Sequence, residues 1–487
     1  MITLVEARVY KYKCIDDSTP VTINKGVTVL VGKNESGKTA FLEALHKALP
    51  LGDKKFNHVL DYPKREYVRY LPQHTAKNYA KVVELTFRVG KSLIDKINNE
   101  VFHGHEVIPS DFTFTCTANY GNASSVGLHI NEKAALAALK IPLAGVEHSD
   151  EVFGAGTLEA VVKNIEQQRF PPDHSLSKFA NEWKKRSQNA AANSDFISSH
   201  IWSTYLLPRL PKFLYFDDYS LLEGKINLPS LSNRFGQKKL TEADITALGL
   251  FDLAGITLSE LMSEEGYETS RAKLEAISLQ ITDEIFRYWR QNRELSVEFD
   301  IKTDPTDEAP YNNGKNLYIR VRNQRHGVTV PFDQRSKGFI WFFSFIAWFS
   351  SVQRRVDTSA DLILLLDEPG LNLHALAQAD LLSYISVLSE KHQIIYTTHS
   401  PFMVDSEHLD QVRVVEDRSG VGTKVTSELE GSDNESLFPL QAALGYSIAQ
   451  NLFISKKNIL IEGPADLILL QHMSALRQER GKPGLVE

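Results

Sequence analysis

From Ile2 to Tyr12 the chain alternates apolar and polar side chains in "ITLVEARVYKY", the two-residue period of a strand with one face buried. A short apolar run, "GVTVLVG", and an amphipathic stretch, "TAFLEALHKAL", follow it, so the opening reads strand, strand, loop, helix, as a nucleotide-binding unit does. Further strands are predicted at "KVVELTFRV" and "DFTFTCTANY". Near Lys140 the texture changes to polar, Ala-rich and Glu/Lys-rich segments that suit helices, clearest in "LEAVVKNIEQQ", "LSKFANEWKKRSQNAAA" and "RAKLEAISLQITDEIFRYWRQ". Between them "PKFLYFDDYSLL" is a strand signal that returns the chain to a sheet. After Arg293, "ELSVEFDIK" and "NLYIRVRNQ" alternate as strands, whereas "DLILLLDEPG" and "HQIIYTTHS" carry the unbroken apolar runs of parallel strands covered on both faces. The predicted fold class is α/β, one α/β domain interrupted by helical blocks.

Composition narrows the picture. A chain of 487 residues, 42% of them apolar, is too long for one ordinary core and suits two or three globular units. With 54 basic and 61 acidic residues the net charge is −7, so contact with a nucleic acid would need a local basic groove. Two cysteines, Cys14 and Cys116, in no metal-ligand spacing fit a reducing, cytoplasmic setting. The N-terminus has no basic segment followed by an apolar core, so no signal peptide is expected. The longest apolar stretch, "FIWFFSFIAWFSSV" from Phe339 to Val352, falls short of the roughly 20 residues a membrane span needs. It is predicted to be a buried helix, and no membrane partner is expected.

Chemistry enters at "GKNESGKT", Gly32, Lys33, Asn34, Glu35, Ser36, Gly37, Lys38 and Thr39, which matches the phosphate loop G-x-x-x-x-G-K-[ST] between a strand and a helix. The glycines let the backbone curl so that N–H groups point at phosphate oxygens, and the following helix aims its positive end there. Lys38 is predicted to reach the β and γ phosphates of ATP and Thr39 to ligate Mg²⁺. The strand "LILLLDEPG" delivers Asp367 towards Mg²⁺ and Glu368 towards the attacking water. "IIYTTHS" ends in His399, also at the carboxyl end of an apolar strand, where it is a candidate to sense the γ-phosphate.

A phosphate loop, a long insertion, an Asp-Glu strand and a strand-terminal His in this order resemble an ABC-type ATPase of the SMC/RecF-like group. In that family a Ser-x-Gly-rich segment at a helix N-terminus completes the ATP site of a second subunit. "DQRSKGFIWFFSFIAW" is similar in position and form, which implies that Ser336 and Gly338, with Lys337 nearby, face a partner's γ-phosphate; read alone, the segment is a polar N-cap on a buried helix. Near the C-terminal end "NILIEGPADLILLQHM" resembles the first strand and helix of a Toprim domain, and an ABC-type ATPase followed by Toprim is the arrangement of the OLD (overcoming lysogenization defect) family of nucleases. The resemblance implies that Glu462 acts on metal and proton transfer and that Asp466 is a second ligand for Mg²⁺ or Mn²⁺; the plain alternative is a strand, turn and helix with a solvated acid. Toprim nucleases need a further acidic cluster, typically Asp-x-Asp on a later strand, and none follows before Glu487, so an incomplete Toprim domain is expected.

The expected division is therefore 1–140, an N-terminal ATPase lobe; 141–293, a mainly helical, dimerising insertion; 294–455, a C-terminal ATPase lobe; and 456–487, the start of Toprim. The resemblance implies a homodimer or higher homo-oligomer controlling a DNA endonuclease in defence against phage. Alternatives are an ATP-dependent sensor or scaffold working with a separate effector protein or an RNA, and an SMC-like DNA-repair ATPase. Other features weigh less. His103, His105 and Glu106 in "FHGHE" read as an ordinary loop, Asp217 and Asp218 as a strand-end turn, and Gln73 is one candidate for the glutamine that contacts Mg²⁺ in such ATPases.

Overall fold

The computed structural model of the chain describes residues 1–73, 78–187, 195–216, 221–253, 255–263, 267–289, 292, 294–355, 361–427, 462–482 and 484. Its strands in chain order are β1 (Ile2–Tyr12), β2 (Ile15–Asp17), β3 (Val21–Thr22), β4 (Val27–Val31), β5 (Lys81–Val89), β6 (Thr113–Asn119), β7 (Ser124–Gly127) and β8 (Lys212–Phe216). They continue as β9 (Lys225–Asn227), β10 (Leu295–Lys302), β11 (Asn316–Asn323), β12 (Val328–Pro331), β13 (Leu362–Leu366), β14 (Gln393–Thr398), β15 (Val412–Arg418) and β16 (Gly422–Thr426).

Three sheets result. The central one runs β16-β15-β4-β14-β13-β8, parallel except for the β15–β16 hairpin. Every residue of β4, β13 and β14 is buried, as expected of parallel strands covered on both faces. Successive side chains serve different cores. Ile363, Leu365 and Ile395 join the helix Lys38–Ala48 and the antiparallel sheet β2-β1-β5-β6-β7. Leu364, Leu366 and Ile394 join the sheet β10-β11-β12, with β9 beside β11, on the opposite face. Gln393 at the start of β14 ties the first sheet on: its Nε2 donates to Leu4 O and Asn24 O, both at 2.9 Å, and its Oε1 accepts from Leu4 N at 2.8 Å.

The apolar stretch after Phe339 is a buried helix, Lys337–Arg355, against Phe216, Trp289, Phe332 and Tyr384. Among the described residues no helix is long and apolar enough to cross a membrane. The stretch 141–293 holds helices on both sides of β8, which lies at the strand signal "PKFLYFDDYSLL". β8 and β9 divide it. Its first half buries Leu158, Val161, Ile165 and Trp183 in the core with β1 and β5, and its second half buries Leu231, Leu250, Ile281 and Ile285 in the core with β10 and β11. Hydrophobic periodicity located these helices, but both halves lie against the sheets.

The helix Tyr267–Phe286 lies along β10, an edge strand. Thr282 Oγ1 accepts from Val297 N at 2.9 Å and Ser278 Oγ from Phe299 N at 3.2 Å, so two hydroxyls one helical turn apart satisfy two outward-facing N–H groups of the edge.

Candidate nucleotide site

Because β4, β14 and β13 are adjacent and parallel, the loops that follow them leave the same carboxyl edge of the sheet, where open α/β sheets bind ligands. The first of these loops is Gly32–Gly37. A Cβ on Gly32 would lie 2.3 Å from Val415 O, and one on Gly37 would lie 2.5 Å from Thr423 Oγ1. Gly37 also has φ 101°, in the left-handed region that favours glycine. Thr423 Oγ1 donates to Ser36 O at 3.0 Å and pins the loop to the β15–β16 hairpin. Ser36 is 1% exposed, and its Oγ has no hydrogen-bond partner among the described residues. A buried hydroxyl inside a glycine-lined curl suits an oxygen of a bound phosphate.

Lys38, 5% exposed, donates from Nζ to Gly32 O and Lys33 O, both at 2.9 Å, and lies 3.3 Å from Glu368 Oε1. Its cation is thereby held over the loop. Asp367 and Glu368 follow β13. Asp367 Oδ1 accepts from Thr39 Oγ1 at 3.1 Å and from Thr397 Oγ1 at 2.7 Å, and Oδ2 accepts from Tyr215 OH at 3.0 Å. Glu368 has φ 47°, a left-handed conformation unusual for a residue with a side chain, and its N–H donates to Thr397 Oγ1 at 2.7 Å. Its carboxylate accepts from His399 N at 3.3 Å. His399 Nδ1 lies 2.8 Å from Glu368 Oε2, a close contact whose angle is not that of a hydrogen bond. The structure thus brings Lys38, Thr39, Asp367, Glu368 and His399 to one point.

Residues that motif reading passed over complete the arrangement. Thr397 and Tyr215 hold Asp367 from the two strands flanking β13. Gln378 donates to Gly370 O at 2.9 Å and accepts from Ser400 Oγ at 2.8 Å, joining the loop after Glu368 to the loop after His399. The Tyr215 ring stacks on His46, centroids 5.4 Å apart and 8° from parallel. Burial, with Lys54 and Lys47 nearby, pushes the His46 pKa down to about 4, so the ring is neutral at pH 7.

Ser336 is exposed, and its Oγ accepts from Phe339 N at 3.3 Å, an N-cap for the buried helix. A Cβ on Gly338 would lie 2.7 Å from Asn372 O, so the helix start presses on the loop that follows Glu368. No hydrogen bond or ion pair among the described residues joins Ser336 to the phosphate loop of its own chain.

At the C-terminal end, Asp466 Oδ2 accepts from Glu462 N and Gly463 N, both at 3.2 Å, closing the first turn of the helix Pro464–Glu479. Glu462 is exposed. The strand expected at 458–461 lies outside the described residues, as do Asp217 and Asp218. Gln73 ends the helix Lys64–Gln73. His103 caps the helix Lys91–Phe102 and opens a turn, as read from the sequence. Among the described residues no group of three or more His, Cys, Asp or Glu side chains is placed to hold a metal ion by itself.

The family described as AAA ATPase domain matches residues 4–404. An uncharacterized protein of Methanocaldococcus jannaschii is 27% identical over 160 residues, 33% of this chain, and the match spans only 39% of that relative. Among solved structures, an SMC head bound to the C-winged helix domain of ScpA is 14% identical with a TM-score of 0.38, over 87% of this chain and 97% of that one. The SMC head domain of Thermotoga maritima is 9% identical with a TM-score of 0.34, over 87% and 98%. Superpositions this loose do not bear on function.

Proposed function

The chain belongs to the AAA ATPase domain family, and from that premise we propose that it is an ABC-type ATPase of the SMC/RecF-like kind, working as the ATP-driven part of an OLD-family nuclease. The observation that carries the ATPase reading is the meeting of Lys38, Thr39, Asp367, Glu368 and His399 at the carboxyl edge of the central sheet. Gly32–Gly37 cradle the phosphates of ATP, and Lys38 neutralises the β and γ oxygens. Thr39 and Asp367 are the residues that would hold Mg²⁺, which neutralises charge on the phosphates when bound. Glu368 accepts the proton of the attacking water, and His399, against its carboxylate, orients it and senses the γ-phosphate. Exposed Ser336 and Lys337, at the start of the helix Lys337–Arg355, belong to a surface that completes the ATP site of a second copy, so turnover requires a homodimer or a larger homo-oligomer.

In this reading ATP controls a Toprim endonuclease that cuts DNA with Mg²⁺ or Mn²⁺, Glu462 and Asp466 supply part of its metal site, and the system acts against phage. One observation favours a second reading. Asp466 is engaged in closing its own helix, which suits an ATP-dependent scaffold whose separate effector does the cutting. The experiment is DNA cleavage by protein carrying the chain through any further acidic cluster, with Glu462→Ala beside it. Cleavage lost in the variant while ATP hydrolysis persists supports the nuclease. Cleavage unaffected by Glu462→Ala, or absent with both metals, supports the scaffold.

A further inference from the structure

Thr397 lies in the "IIYTTHS" run, where only His399 has a role read from the sequence, yet its single hydroxyl touches both adjacent acids of the site. It is 0% exposed, on β14 between β4 and β13. Oγ1 has one proton to give, and the geometry shows where it goes: Asp367 Oδ1, an acceptor only, lies 2.7 Å away. The same oxygen accepts the N–H of Glu368, also at 2.7 Å. Glu368 has φ 47°, a left-handed conformation that is strained for a residue with a side chain and persists only where its surroundings hold it. The other groups on these two acids, Thr39, Tyr215, Lys38 and His399, meet the carboxylates or, in the case of His399 N, again a carboxylate oxygen. Thr397 alone among these contacts reaches the Glu368 backbone and the Asp367 side chain together.

We propose that Thr397 is a positioning residue for ATP hydrolysis: its hydroxyl fixes the rotamer of the metal-side carboxylate of Asp367 and, through the Glu368 N–H, holds Glu368 in the left-handed turn that aims its carboxylate between Lys38 and His399. The inference rests on the reading of Asp367 and Glu368 as the metal carboxylate and the base. It follows that Asp367 and Glu368 are not independently placed. A shift in one is transmitted to the other through a single oxygen atom. Valine has nearly the shape of threonine and suits a buried strand, so Thr397→Val removes the hydroxyl with little change in packing, whereas Thr397→Ser keeps the hydroxyl and removes only the methyl.

The test measures steady-state ATP hydrolysis against ATP and against Mg²⁺, with nucleotide affinity by calorimetry, for the whole chain and for Thr397→Val, Thr397→Ser and Thr397→Ala. The expected result is a fall in kcat of more than tenfold in Thr397→Val, ATP affinity within a few-fold of the parent, a raised Mg²⁺ half-saturation, and recovery of most of the rate in Thr397→Ser. A valine variant that turns over at the parent rate overturns the proposal. So do valine and serine variants that fall equally, because the hydroxyl is then not the cause. If the valine variant does not fold, the serine and alanine variants decide: a slow alanine variant beside a near-normal serine variant supports the proposal, and equal rates overturn it. Glu368→Gln, run alongside, separates the two levels. If it hydrolyses ATP normally, the assignment of the base has failed. If it is inactive while Thr397→Val is normal, only the role of Thr397 has failed.

Discussion

Replacing Glu368 with Gln tests the centre of the site in two opposite directions at once. The amide keeps the size of the side chain and can hold a water, but it cannot accept that water's proton. Loss of general-base catalysis is worth roughly 10²- to 10⁴-fold, or about 3–5 kcal/mol of barrier. Binding moves the other way. In the structure the Glu368 carboxylate lies 3.3 Å from the Lys38 ammonium, a separation at which two unit charges attract by about 5 kcal/mol at an effective dielectric constant of about 20. Most of that is offset by solvation, since the Glu368 side chain is 23% exposed. A residue of about 1 kcal/mol remains for a triphosphate to overcome when it draws on the same cation. Removing the carboxylate therefore strengthens ATP binding about fivefold. Calorimetry with ATP and a phosphate-release assay read the two effects separately. Hydrolysis within threefold of the parent would refute the base assignment. Weaker ATP binding by a folded variant would refute the argument that Lys38 is shared between the acid and the nucleotide.

Other outcomes follow from the same geometry. Lys38→Ala removes the cation held over the loop and should abolish ATP binding by calorimetry; Ser336→Arg should bind ATP but not hydrolyse it, and a mixture of the two variants should regain activity through one intact composite site per dimer. Tyr215→Phe removes one hydrogen bond to a carboxylate, worth about 1.5–3 kcal/mol, and should raise the Mg²⁺ concentration needed for half-maximal turnover several-fold with little change in metal-free nucleotide binding. His46 has its pKa lowered from 6.5 to about 4 in the folded chain, so the unfolded chain binds the extra proton between those values. Stability from this group is therefore complete above about pH 6.5 and is lost as pH falls towards 4, by up to about 3 kcal/mol, and His46→Gln should flatten the melting temperature against pH across that window.

Much of this site is legible in the chain because its chemistry is local. The phosphate loop, the Asp-Glu pair and His399 each sit at the end of an apolar run, and a parallel arrangement of those runs sends the three loops to one edge. Thr397 and Tyr215 are a different case. A hydroxyl within a strand has no spacing signature, and its role depends on which strand lies beside which: Tyr215 reaches Asp367 because β8 pairs with β13, and Thr397 does so because β14 pairs on the other side. The helices of 141–293 show the same limit. Their periodicity says that one face is buried but not against what, and here the sheets supply the cover. β15 and β16 carry a weaker signal, a Val-rich run at Val412–Val415 and the β-branched residues of "TKVT" on either side of a glycine-containing turn.

The edge of β10 has a consequence beyond the native fold. Ser278 and Thr282 occupy the N–H groups of Phe299 and Val297 with hydroxyls where another sheet would offer carbonyls. During refolding, or after any loosening of the helix Tyr267–Phe286, those donors become available at the spacing of a β-ladder, and an incoming strand from a neighbouring molecule can satisfy them as well as the helix does. The two hydroxyls therefore guard against self-association. A chain with alanine at both positions should keep its ATPase rate per folded molecule and betray the change as turbidity, in the fraction of material that refolds at high concentration compared with low.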